Sequence, residues 1–172
     1  MHFDLTKTFE ILERTPQVLH ELLSGLPDEW IVNNEGEETW SPYDIVGHLI
    51  YGEYSNWMGR LDVILHKGDK HFVPFDRVAM FKESEGKNLQ QLLKEFTALR
   101  KNNLEKLRSL KLTEDDLDKT GIHPAFGEVT LRQLLSTWTV HDLTHIAQIT
   151  RVMAKQYKEA IGPWIQYFRV LQ

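Results

Sequence analysis

The stretch from Val129 to Met153 constrains the chain more than any other. Leu131, Leu134, Leu135, Trp138, Ile149 and Val152 recur there at helical spacing, which gives a helix one apolar stripe to bury. Thr130 is followed three residues later by Gln133. That is a capping box, in which the hydroxyl satisfies an orphan amide and the glutamine reaches back to the cap. One long helix with a defined start is therefore expected. His141 and His145 fall inside its stripe. Two residues at i and i+4 share a face, so both imidazoles reach toward a common point. They either sit there as satisfied packing residues or hold something, and a metal is the first candidate.

The segments before that helix give it partners. From Asp4 to Ser24, the residues Leu5, Phe9, Leu12, Leu19, Leu22 and Leu23 supply a buried face, with Gly25 and Pro27 as the stop. Pro16 predicts either a kink or two shorter helices. Residues 25–39 are polar and carry no regular pattern. Ser41, Pro42 and Asp44 then mark a second start: a hydroxyl cap, a proline at the first helical position and a carboxylate in the first turn. This helix is expected to run to Leu65. Ile45, His48, Leu49, Gly52, Asn56 and Gly59 lie close to one face, so His48 also turns inward. The small residues Gly52, Ser55 and Gly59 beside it leave either a close helix contact or the open space of a pocket. Glu53 lies off that face and is expected to pair with a basic residue elsewhere.

A connection over residues 66–87 precedes a third helix, opened by Asn88 and Gln91 and continued by Leu92, Leu93, Phe96, Leu99, Leu104 and Leu107. A link of that length can cross a bundle, so that the second and third helices run parallel, and it can cover one end. A single capped turn is expected after Leu112, an extended or turn-like segment from Gly121 to Val129, and a short aromatic tail after Gly162 and Pro163. No repeat or linker divides the sequence, which reads as one domain spanning residues 1–172.

Composition excludes several function classes. A formal charge of −5 argues against nucleic acid, since phosphate binding needs a basic face. The chain has no cysteine, which removes disulfides, thiolate ligands and a cysteine nucleophile together. No signal-peptide pattern opens the sequence, and no uncharged apolar run approaches the ~20 residues of a membrane span. A cytoplasmic protein acting on a small molecule is the expectation.

Eight histidines need sorting. His2, His20, His66 and His71 lie at a terminus, on a helix flank or in loops and are expected in solvent. His123, in the loop before the last long helix, is read as structural although it could approach the site. His48, His141 and His145 form the inward set. Three neutral imidazoles plus an open position make the coordination sphere of a catalytic zinc, or of nickel. The pair is not a metalloprotease motif, because Asp142 follows His141 and no glutamate occupies the His-Glu-x-x-His position. Asp142 is expected in an outer shell or at the surface. Gln148, one turn beyond His145, either lines the pocket or bonds a coordinated water, or pairs with backbone or solvent.

Taken together, Trp40-Ser41-Pro42, Gly47-His48-Leu49, His141-x-x-x-His145-x-x-Gln148, Gly162-Pro163-Trp164 and Tyr167-x-Arg169 resemble the DinB-like (damage-inducible) family of metalloenzymes. The resemblance spans nearly the whole chain. It implies an all-α four-helix bundle, up-down-down-up, with the long crossover between helices 2 and 3. It also implies a divalent metal on the matching His48, His141 and His145, and a homodimer. Some members of the family are thiol S-transferases using bacillithiol or a similar small thiol, one branch isomerises with mycothiol, and others are described only as hydrolases.

Two functional classes follow as expectations. The first is an enzyme whose nucleophile is a thiol or a water held by the metal; with no cysteine in the chain, any thiol is a co-substrate. The missing acidic base beside the histidines fits thiolate attack better than hydrolysis. The second is a non-catalytic metal-binding or dimerisation module.

Overall fold

Pro16 divides the first helical segment. In this computed structural model, which describes residues 2–66, 68–76 and 78–172, helices α1 (Leu5–Leu12) and α2 (Thr15–Leu23) meet at Glu13 and Arg14. The proline sits in the first turn of α2, where its missing N–H costs no helical hydrogen bond. Gly25 follows α2 with φ of +78°, the left-handed conformation that reverses a chain after a helix.

The polar link contains one short helix, α3 (Asp28–Val32), which the sequence reading left unassigned. Its far end is tied down electrostatically. Glu35 takes hydrogen bonds from Arg151 Nε and Nη2 at 2.9 and 2.7 Å and lies 2.9 Å from Lys155 Nζ. Six residues later comes the cap of α4 (Pro42–Ser55), where Ser41 and Asp44 exchange both capping-box bonds.

The second helix does not run unbroken to Leu65. It is interrupted at Asn56 (φ −107°, ψ −70°) and resumes as α5 (Trp57–Leu65). Ser55 bonds back to the Tyr51 carbonyl at 2.7 Å, and such back-bonding bends helices. The expected row of small residues does not form, and the break turns Gly59 away from it. Gly52 stays buried, whereas Ser55 and Gly59 face solvent.

The crossover contains α6 (Ala79–Ser84) and leads to α7 (Leu89–Ser109), which has the expected Asn88–Gln91 capping box. The Tyr43 hydroxyl, 2.7 Å from the carbonyl oxygens of both Ser84 and Lys87, pins the end of the crossover to α4. A single turn, α8 (Glu114–Leu117), precedes a hairpin of β1 (Thr120–His123) and β2 (Gly127–Thr130), antiparallel with Gly121 opposite Val129. Residues of the crossover join the hairpin's edge: Phe72 N–H donates to the Ile122 carbonyl at 2.9 Å, and Ile122 N–H to the Lys70 carbonyl at 2.7 Å. Gly121 is required there, because a Cβ would lie 2.5 Å from Phe72 Cε1. The hairpin runs directly into α9 (Leu131–Lys155), which opens with the Thr130–Gln133 capping box. Two 3₁₀ turns, Gly162–Tyr167 and Arg169–Leu171, end the chain.

Together α1–α2, α4–α5, α7 and α9 make an all-α four-helix bundle, up-down-down-up, with the long connection between its second and third helices. Two apolar clusters fill it. One gathers Leu61, Ile64, Leu107, Leu131, Leu135 and Trp138; the other gathers Leu19, Ile45, Leu49, Phe96, Ile149 and Val152. No helix among the described residues is long and apolar enough to cross a membrane.

The Glu35 tie predicts an acid limb of stability. The Arg151 hydrogen bonds lower the Glu35 carboxyl from 4.5 to about 2; burial opposes this and Lys155 adds to it. A carboxylate lowered in the folded state stabilises fully above its unfolded pKa and loses that contribution as pH falls toward the folded value. Thermal melts of wild type and Glu35→Gln should therefore differ most above pH 4.5 and converge toward pH 2. A difference that does not change with pH would contradict the assignment.

Candidate metal centre

His48 leaves the second turn of α4, and His141 and His145 leave adjacent turns of α9. The structure brings all three together. His48 Nε2 lies 3.0 Å from His141 Nε2, which lies 3.2 Å from His145 Nε2. Ligand atoms of the three lie within 4.8 Å of one another. Imidazole nitrogens bound to one ion at about 2.0–2.1 Å stand roughly 3 Å apart, so the spacing fits a shared cation.

The protonation states fit as well. His145 Nδ1 donates to Gln148 Oε1 at 2.8 Å, which leaves Nε2 with a free lone pair directed at the other two rings. Burial lowers the pKa of His141 to about 2, with the neighbouring His145, His48 and Arg100 adding to the effect. Burial also lowers His145, against the Gln148 bond and the Asp142 charge. Neutral imidazoles are the ligand form. Aromatic rings enclose them: Trp40 lies 4.8 Å from His48, Phe75 meets His48 edge-on at 5.5 Å, and Trp57 meets His141 edge-on at 5.0 Å. Phe75 belongs to the crossover, which thus covers the site.

The site forms one wall of a cavity of about 510 Å³, whose lining includes Trp40, Asn56, Trp57, Arg60, Phe72, Phe75, His123 and Phe126. No Asp, Glu or Lys is among the described lining residues. The sequence reading set His123 aside as structural, yet it stacks on Phe126 at 4.5 Å in the cavity wall. Its Nδ1 accepts the Ala125 N–H at 3.1 Å. The neutral ring, kept so by burial and the Arg60 charge, therefore carries its proton on Nε2. Gly52 packs against Trp57, and Ser55 bonds to the Tyr51 carbonyl on the outside of the helix. Neither is among the described residues that line the cavity. His2, His20, His66 and His71 are exposed, as expected.

Beneath the histidines lies a buried ionic layer. Asp142 is 0% exposed, which corrects the surface alternative for it. Arg100 donates from Nη1 to Asp142 Oδ2 at 2.5 Å and from Nη2 to Asp142 Oδ1 at 3.0 Å. Its Nε and Nη2 reach Glu53 Oε1 at 3.1 and 2.8 Å, and Nη1 reaches the Leu12 carbonyl at 2.9 Å. All five guanidinium N–H groups are used. Burial alone would lower the Arg100 pKa, but the two carboxylates outweigh it and raise it. Burial pushes the Glu53 carboxyl up against the pull of Arg100. Every contact to that carboxyl is nonetheless an N–H donor, from Arg100, Asn103 (2.9 Å) and Trp138 (3.2 Å), which is the environment of a carboxylate. With Glu53 the expected basic partner is thus Arg100. The layer carries net charge −1 next to the proposed cation position.

A profile of the DinB superfamily matches residues 11–149. The chain belongs to the DinB superfamily. Comparison with curated proteins returns no match. Among solved structures, this DinB-superfamily chain is similar to YfiT from Bacillus subtilis, with a TM-score of 0.73 and 21% identity over 88% of this chain and 86% of that one. YfiT is described as a probable metal-dependent hydrolase with an unusual four-helix bundle topology.

Arg100 was legible and missed. In α7 it occupies the helical stripe between Phe96 and Leu104, and a charge in that position calls for buried partners. Asp142 likewise stands one turn after Trp138 in the stripe of α9. Removing the arginine strands two carboxylates in the core. Arg100→Met is expected to cost about 3–5 kcal/mol in chemical denaturation, and Arg100→Met combined with Glu53→Gln and Asp142→Asn should recover part of it. A single variant as stable as wild type would contradict the charge assignment.

Proposed function

We propose that this chain is a divalent-metal-dependent enzyme in which His48, His141 and His145 hold the ion, and that it transfers a low-molecular-weight thiol to a small electrophile. The observation carrying this reading is the convergence of three imidazoles, two of them with pKa values lowered by burial, on the wall of a cavity without a carboxylate among its described lining residues. The all-nitrogen donor set suits zinc or nickel. When bound, such an ion supplies Lewis acidity, which lowers the pKa of a thiol or water placed on it.

The chain's own residues account for the rest. Gln148 fixes the His145 tautomer. Trp40, Trp57 and Phe75 exclude water around the rings. His123 presents an N–H and no free lone pair at Nε2, so it does not serve as a general base there. A thiol starts from a pKa of about 8.5 and ionises without such a base more readily than water, which starts near 15.7. With no cysteine in the chain, the thiol is a co-substrate. The likeness to YfiT favours hydrolysis as the second reading, with water in place of the thiol. Exposed Val140 and Leu143 on α9 support pairing with a second copy, and the cysteine-free sequence suits a cytoplasmic setting within a single-domain protein.

Metal analysis of protein purified without a polyhistidine tag tests the first step. About one divalent ion per chain is expected, lost in His141→Ala while the helical circular dichroism is kept. Metal-loaded wild type should then conjugate small thiols to a chromogenic halonitrobenzene. Thiol-independent cleavage of esters or amides would favour hydrolysis. Metal content unchanged in His141→Ala would contradict both readings.

A further inference from the structure

Arg60 stands in the wall of the cavity, whose described lining residues include no carboxylate. Its guanidinium lies 5.1 Å from the centre of the Phe72 ring. No carboxylate forms an ion pair with it among the described residues, in contrast to Arg100, Arg108, Arg132 and Arg151. A half-buried guanidinium held against an aromatic face has given up part of its hydration, and among the described residues no hydrogen bond fills its N–H fork, which an anion in the cavity would complete. Burial lowers its pKa, with no acidic neighbour pulling the other way.

Two neighbours narrow what that anion belongs to. One turn earlier on the same wall, Asn56 has a buried Oδ1 with no hydrogen-bond partner among the described residues. It is an acceptor waiting for an N–H or O–H. His123, whose Nδ1 is taken by the Ala125 amide, offers an Nε2–H donor in the same cavity. The remaining wall is largely aromatic, with Phe72, Phe75 and Phe126. A volume of about 510 Å³ is that of a small-molecule pocket.

We propose that Arg60 is the anion-binding residue of this pocket, and that the substrate or co-substrate is a small carboxylate with a hydroxyl or amide N–H beside the carboxylate and an apolar body. Arg60 grips the carboxylate through its fork, as planar guanidinium groups do. Asn56 Oδ1 accepts from the neighbouring donor, and the aromatic wall takes the apolar part. The ligand is thereby oriented with its other end toward His48, His141 and His145. This assignment rests on reading the cavity as the active site, but its test does not depend on the metal.

The probes are N-acetylphenylalanine and its uncharged primary amide, titrated calorimetrically into the full chain in zinc-loaded and metal-free forms. The acid is expected to bind about tenfold or more tighter than the amide in both forms, as a charge-assisted bond requires. Arg60→Met keeps an apolar stem over Phe72 and should bring the two probes to near parity, with an unchanged melting temperature and unchanged zinc content. Arg60→Gln serves as the second variant should Arg60→Met fold poorly. Equal binding of acid and amide by wild type, no binding of the acid, or a preference that survives both variants overturns the proposal. A preference seen only in the zinc-loaded form places the carboxylate on the metal and overturns it too. Failure to load zinc, with the Arg60-dependent preference intact, would instead remove the metal reading and leave this one standing.

Discussion

The bundle is organised around one guanidinium. Arg100, on α7, bonds the Leu12 carbonyl of α1, Glu53 of α4 and Asp142 of α9, so a single side chain contacts all four long segments. It lies against the rings of Phe96 and Trp138 at 4.8 and 5.3 Å, between the two apolar clusters. A buried charge of this kind is costly unless all its donors are matched, and here all are. That requirement fixes the relative height and rotation of α4 and α9. The histidines depend on both, because His141 precedes Asp142 directly and His48 stands on the same helix as Glu53.

The coupling continues through the aromatic residues. Trp138 donates its Nε1–H to Glu53 at 3.2 Å and stacks on Trp57 at 5.4 Å with 8° between the planes. Trp57 in turn meets His141 edge-on. From ionic layer to indole pair to imidazole, each contact restricts the next. The net charge of −1 beneath the rings favours a cation above them, since in a region of reduced dielectric such an attraction is screened less than in water. Desolvation acts in the same direction by keeping His141 and His145 neutral and available as ligands.

Much of this was legible in the sequence. The caps at Ser41, Asn88 and Thr130 locate three of the bundle's long segments, because the hydroxyl or amide cap and its partner three residues on are local chemistry. The inward direction of His48, His141 and His145 follows from helical periodicity alone. The break at Asn56 was not legible, since no proline marks it, and it changes which residues beyond it face the core. That is why Gly59 was placed beside the site and Trp57 and Arg60 were not; Ser55, ahead of the break, faces solvent with its hydroxyl on the Tyr51 carbonyl. His123 and Phe126 reach the cavity through a hairpin whose position depends on Phe72 in the distant crossover, a long-range contact that no local pattern encodes. Asp142 was read beside its neighbour His141 and not with its own stripe, where its burial was implied.

The central claim is that three imidazoles share one ion and leave part of its coordination sphere open. X-ray absorption at the metal edge of the loaded protein addresses it most directly. The account predicts three imidazole nitrogens at about 2.0–2.1 Å together with at least one oxygen ligand that gives way to sulfur when a small thiol is added. A coordination sphere filled by protein groups alone, or one with fewer than three imidazoles, would contradict it.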